Sequence, residues 1–215
     1  MATSITVDQL EKLMEQYGTE ERVRRYIRQC VSFHGFAPPG LLIGAFMVDL
    51  ALEQLGANPG EKLYAVAETP KCAPDAVQVL TGATLGNNRL RIIETGKFSI
   101  TLNRSSTAQQ ADAVRVYVDA RKIRRYPTLN LWYTNDPSYE RIEEKNRVYD
   151  EILKAARRVL SAEWVKVSVP KKALWRAVQC PVCNEMVPDY FAENGVCPSC
   201  AGTAYYDRPA KARNR

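Results

Sequence analysis

Residues 40–56, Gly-Leu-Leu-Ile-Gly-Ala-Phe-Met-Val-Asp-Leu-Ala-Leu-Glu-Gln-Leu-Gly, decide the fold. The run is apolar on nearly every side, as in a helix enclosed by other elements, and Gly56 stands where a left-handed C-cap belongs. It predicts a central helix around which a domain must close. The longest uncharged apolar stretch, Pro38 to Val48, is followed by Asp49 and Glu53 and is too short to span a membrane.

Upstream, Thr6 with Gln9 predicts a capping box, with Leu10, Leu13 and Met14 on one face. Gly18-Thr19 separates this helix from a second over Glu20 to Cys30. Downstream, Lys62 to Thr69 alternates like a strand, and Pro74 to Leu80 reads as a short helix. Leu90–Glu94 and Phe98–Leu102 read as strands joined through Thr95-Gly96. Residues 104–112 read as a polar loop, Val114–Val118 and Thr128–Tyr133 as strands, Ser138–Ala162 as a long helix, and Val165–Val169 as a last strand. Helices first, then neighbouring strands, then a returning helix predict an α+β domain with a mixed sheet.

The second decisive pattern is Cys180-Pro-Val-Cys183 followed, after 13 residues, by Cys197-Pro-Ser-Cys200. Two C-x-x-C pairs at this spacing can set four thiolates at the corners of a tetrahedron, which suits structural zinc; iron accepts the same ligands. Two disulfides are the alternative. The opening MATSITVDQLEK has no basic stretch followed by an apolar one, so the expected compartment is the cytoplasm, where disulfides are rare. The expected organisation is a main domain over 1–172, a four-cysteine finger over 173–207 and a basic tail over 208–215.

Of 215 residues, 46% are hydrophobic and 25% charged, as in a soluble globular chain. The net charge is +6 and the pI about 9.0. From position 165 onward there are eight basic and four acidic residues, so the finger region holds much of the excess. Tyr205-Tyr206 and the basic tail are what a nucleic-acid-binding finger would use, but no recognition helix is visible and that reading is disfavoured.

In the main domain, His34 is the sole histidine, in Phe33-His34-Gly35 just before the buried helix. Cys72 precedes a helix N-terminus, where a thiolate can be stabilised, and Asp75 lies in that helix's first turn. A His34/Cys72 pair would suit acid–base and nucleophilic chemistry if the two came within hydrogen-bond reach.

Taken in order, Phe33-His34-Gly35, Pro39-Gly40-Leu41-Leu42-Ile43-Gly44, Cys72-Ala-Pro-Asp75-Ala76-Val77-Gln78, Leu80-Thr81-Gly82-Ala-Thr84-Leu85-Gly86-Asn87 and Gly96-Lys97 resemble the FmdE-like proteins, the family named for a component of formylmethanofuran dehydrogenase. The likeness covers about 20–105 by motif and reaches the finger by architecture. It implies a thioredoxin-like α+β core with a mixed sheet flanked by helices, a treble-clef or ribbon finger, and a pocket joining the His34 loop to Cys72. It also implies a place beside a molybdenum- or tungsten-dependent enzyme of anaerobic one-carbon metabolism. Three family ligand positions are replaced, by Phe36, Pro38 and Ala83. His34 and Cys72 remain, with Asp75 or Glu68 as candidate oxygen ligands. The pocket is therefore expected to be metal-free and to take a small ligand through His34, Cys72, Asp75, Thr84 and Lys97. Whether the chain keeps an activity of its own stays open. A homodimer is expected, built on the apolar faces of the first helices and the buried third helix.

Overall fold

A computed structural model describes residues 5–140, 145–170 and 174–207. It divides into two compact units, 1–169 and 170–215. The basic stretch 208–215 and Lys171-Lys172 lie outside the described residues.

The first unit opens with α1 (Val7–Gln16), held at its start by the reciprocal Thr6–Gln9 capping box. Next comes α2 (Glu21–His34), one turn longer than expected because Val31 is still buried and the stop is Gly35, at φ +89°. The central helix α3 (Pro39–Leu55) buries Leu41, Leu42, Ile43, Met47 and Val48 and ends on Gly56 at φ +62°. Gly44 lets α4 (Ala73–Thr81) come close: a Cβ there would lie 3.2 Å from Ala76 Cβ.

Five strands form one mixed sheet: β1 (Leu63–Ala67), β2 (Leu90–Ile92), β3 (Ser99–Arg104), β4 (Gln110–Val118) and β5 (Leu160–Ser168), in the order β2-β1-β3-β4-β5. β2 runs parallel to β1 after the α4 crossover, and the other pairings are antiparallel. Ile100, Leu102, Val114 and Val116 are fully buried in one core cluster with α3.

Several expectations give way to tertiary structure. Leu90–Glu94 and Phe98–Leu102 are not a hairpin, because β1 inserts between β2 and β3. The polar loop ends early, since β4 already starts at Gln110 against Ser168. Thr128–Tyr133 lies within α6 (Pro127–Thr134), following the short α5 (Ala120–Ile123). Pro127 opens α6, Asn135 closes it at φ +51°, and the Leu129 amide donates to Glu151 at 2.7 Å. The long helix shrinks to α7 (Lys145–Ala155), with residues 141–144 outside the described set. Ala156 turns to φ +46°, a 3₁₀ turn follows, and nine ladder pairs with β4 claim the chain from Leu160.

The apolar faces expected to form a dimer are covered within their own chain: Leu10, Met14, Val23, Ile27 and almost all of α3 are buried. Asp49 on α3, 2% exposed, is bonded by Arg157 after α7 and lies 3.1 Å from Arg22 of α2, which ties three elements together. Among the described residues no helix is long and apolar enough to cross a membrane.

The second unit carries a hairpin, β6 (Ala177–Gln179) with β7 (Met186–Pro188), and a short helical turn over Ser199–Thr203.

Candidate functional sites

The turn of the β6–β7 hairpin is the first cysteine pair. The Cys180 amide donates to Glu185 O and the Asn184 amide to Cys180 O, each at 2.9 Å, while Asn184 takes φ +64°. The second pair is delivered by a tight turn in which Asn194 (φ +50°) and Gly195 (φ +80°) join Glu193 to Val196. Cys197 follows at once, and Cys200 sits in the helical turn that breaks at Gly202, φ +109°.

The four Sγ atoms lie within 4.8 Å of one another, with Cys180 and Cys197 buried. Cys183 and Cys197 Sγ are 3.8 Å apart, and the Cys197 amide points at Cys180 Sγ at 3.5 Å. That amide, with those of Cys183 and Val182, pulls Cys180 down to about 6. Burial, then the neighbouring thiols, pushes Cys200 up to about 12. Four thiolates this close repel one another and need a cation among them. The donor set, burial and backbone amides all fit a metal ion. Among the described residues this is the sole group of three or more such side chains converging at that range.

The N-terminal site is assembled from distant segments. His34 ends α2, and the loop after it is pinned by the Tyr149 hydroxyl donating to Ala37 O at 2.5 Å. Asp75, in the first turn of α4, meets His34 Nδ1 at 2.6 Å through Oδ2, and Gln78 Nε2 donates to Asp75 Oδ1 at 3.4 Å. The contact at Nδ1 leaves Nε2 as the other ring nitrogen for a ligand. Phe36, where the related family carries a second histidine, packs its ring 4.8 Å from that of His34.

Cys72 has φ +52°, ψ −55°, and the Ala73 amide reaches back to Lys71 O at 2.5 Å. This is a γ-turn of the strained hand. Gly40 at the start of α3 makes room for it, since a Cβ there would sit 3.2 Å from Cys72 Sγ. Burial, then the charge of Asp75, pushes the Cys72 thiol up. The partner that His34 finds is Asp75 rather than Cys72.

Thr84 and Lys97 are placed differently. The Thr84 hydroxyl accepts from the Asn87 amide at 3.1 Å and serves its own loop. Lys97 is exposed on the connection between β2 and β3. Glu68 is committed to Arg115 at 2.6 Å and to Thr95 at 2.7 Å. Burial works against its charge, but hydrogen bonds from Arg115, Ser99 and Thr95 hold it down to about 2. Sequence reasoning missed Cys30, fully buried one turn before His34, whose thiol is pushed up to about 12 by burial and then by the Asp75 charge. The signal was its i, i+4 spacing to His34 on one helix face.

A family model described as "FmdE, Molybdenum formylmethanofuran dehydrogenase operon" matches residues 33–168. The crystal structure of an FmdE-like protein of tungsten formylmethanofuran dehydrogenase, from Syntrophus aciditrophicus, is 33% identical. The match covers 86% of this chain and 94% of that one, with a TM-score of 0.70. A curated relative from Archaeoglobus fulgidus, named "Probable S-adenosyl-L-methionine-binding protein", is 29% identical over 209 residues. That match takes in 89% of this chain and 56% of the relative, so the chain spans little more than half its length.

Proposed function

Because the chain belongs to the FmdE family, we propose that it is a zinc-binding accessory protein of a molybdenum or tungsten formylmethanofuran dehydrogenase, or of a related cytoplasmic one-carbon enzyme. It would act as that enzyme's partner or in delivery of its metal or cofactor. The observation carrying this reading is the contrast between the two sites. Four converging thiols hold one zinc in the finger, while the N-terminal site offers an aspartate–histidine pair and a strained thiol. The zinc is structural: four protein ligands leave no open position for a substrate. The first cysteine pair on a hairpin and the second on a helical turn support a treble clef. The parallel β1–α4–β2 unit beside antiparallel β3 and β4 supports a thioredoxin-like core.

The test is metal content per chain by mass spectrometry, combined with capture of the tagged protein from its host. One zinc, lost in a Cys197→Ser/Cys200→Ser variant, is expected, with molybdenum or tungsten enriched in the captured material. Zinc surviving that variant would place it elsewhere, and capture without either heavier metal would sink the accessory role.

A second reading takes up the Archaeoglobus relative's name. A carboxylate beside an aromatic ring suits a cationic ligand such as a sulfonium, and Asp75, His34 and Phe36 supply one next to the other. Calorimetric titration with S-adenosyl-L-methionine checks it. Binding abolished by Asp75→Asn supports this reading, and no heat at millimolar ligand removes it.

A further inference from the structure

The two edges of the sheet differ. β2 is three residues long; β5 is nine, pairs with β4 without a bulge and contains no proline. A long, flat, unblunted edge is what monomeric proteins avoid.

The hydrogen-bond phase shows what that edge offers. At the ends of the ladder the Asp119 amide donates to Val159 O and the Val169 amide to Gln109 O, both at 2.9 Å. Odd-numbered residues of β5 therefore turn their backbone groups toward β4, and even-numbered ones turn theirs outward. The outermost outward carbonyls are already met: Leu160 O by Lys122 Nζ at 2.5 Å and Ser168 O by Arg91 Nη2 at 3.0 Å. Between them Ala162, Trp164 and Lys166 have no backbone partner among the described residues. Trp164 is 60% exposed.

We propose that β5 pairs antiparallel with β5 of a second copy about a two-fold axis at Trp164, making one continuous sheet across a homodimer. This register uses every free group. Trp164 faces the partner's Trp164, and Ala162 faces the partner's Lys166, with two backbone hydrogen bonds across each facing pair. The two indoles cover one another, and the methyl of Ala162 leaves room for a lysine stem. Lys166 would otherwise be an edge guard, but its ammonium is tied back to Asp112 on its own sheet at 2.8 Å. The inference does not depend on the function proposed above.

The test uses the full-length protein. Light scattering after size exclusion is expected to give a dimer, and Ala162→Lys, which sets two ammonium groups against each other, is expected to weaken it at least about tenfold. Facing residues in such a pair have Cα atoms about 5.5 Å apart, within disulfide reach. Trp164→Cys should therefore give a covalent dimer on oxidation, while Lys166→Cys, treated identically, should not. A monomer at tens of micromolar overturns the proposal. So does a dimer that ignores Ala162→Lys, or one in which Trp164→Cys and Lys166→Cys cross-link alike.

Discussion

The finger and the N-terminal site use the same kinds of side chain under opposite structural regimes. The finger's ligands come from one stretch of 21 residues, Cys180 to Cys200, on two turns whose shapes are set by Asn184, Asn194 and Gly195. Little apolar surface supports them: Leu174, Trp175, Val182, Met186, Tyr190 and Phe191 are all more than half exposed. The N-terminal site takes His34 from the end of one helix and Asp75 from the start of another, and both helices are held by a core the site did not build. A ligand-held module keeps its geometry as long as its ligand stays. A packing-held site keeps its geometry even after losing residues that once bound something, and so it can drift to new use.

The sharpest break between the two is removal of metal. A strong chelator, or Cys197→Ser, should unfold the second unit, because binding of a structural zinc supplies on the order of 10 kcal/mol and the segment has no core to replace it. The first unit should melt unchanged. Calorimetry with and without chelator checks this, and a joint shift of both transitions would erase the distinction. Acid should release the metal too, since the thiolates must take up protons to let it go.

The next prediction attacks the packing-held side. Arg157→Ala removes the principal partner of Asp49, leaving a buried carboxylate with Arg22 at 3.1 Å as its remaining cation. The loss should be about 3 kcal/mol in denaturant unfolding of the first unit, with zinc content unaffected. A loss below about 1 kcal/mol would mean that Arg22 suffices.

How much of this was legible follows the same division. The finger could be read because a C-x-x-C pair is local, and the spacing between pairs already limits the geometry. The third helix could be read because an all-apolar run has one destination. What failed was decided from far away. Thr128–Tyr133 alternates like a strand, yet Pro127 and the Glu151 contact make it α6. Leu160 to Ala162 continue a helical pattern, yet β4 draws them into a sheet. At the N-terminal site His34, Cys72 and Asp75 were found from their motif. Thr84 was named as a ligand-facing residue when its hydroxyl is spent on its own loop, and Cys30 passed as an ordinary buried thiol.

A smaller effect concerns pH. Glu68 is held down to about 2, well below the ordinary glutamate range. A depressed carboxyl contributes stability above its unfolded value, near 4.5, and that contribution drains away as pH falls toward 2. Glu68→Gln should flatten the acid limb of the first unit's stability, with a loss at neutral pH on the order of 2 kcal/mol. An unchanged acid limb would show that Arg115 draws its support from Glu163 instead, 2.9 Å away on β5.

The smallest effect tests whether the N-terminal site still stores strain. Cys72 holds φ +52°, ψ −55°, and burial disfavours ionisation of its thiol. Cys72→Ala and Cys72→Gly both delete the thiol and differ mainly in their tolerance of that backbone. Alanine normally stabilises a chain relative to glycine through the unfolded state. Here the order should reverse, with Cys72→Gly the more stable by about 1 kcal/mol, because glycine alone adopts positive φ without penalty. Equilibrium unfolding of the two variants reads the difference directly. If alanine proves equal or better, the turn relaxes in solution and Cys72 is an ordinary half-buried thiol. If glycine wins, the chain maintains an unfavourable backbone at the one position that sets a cysteine beside the Asp75–His34 pair, and the packing-held site has kept a feature that packing alone does not require.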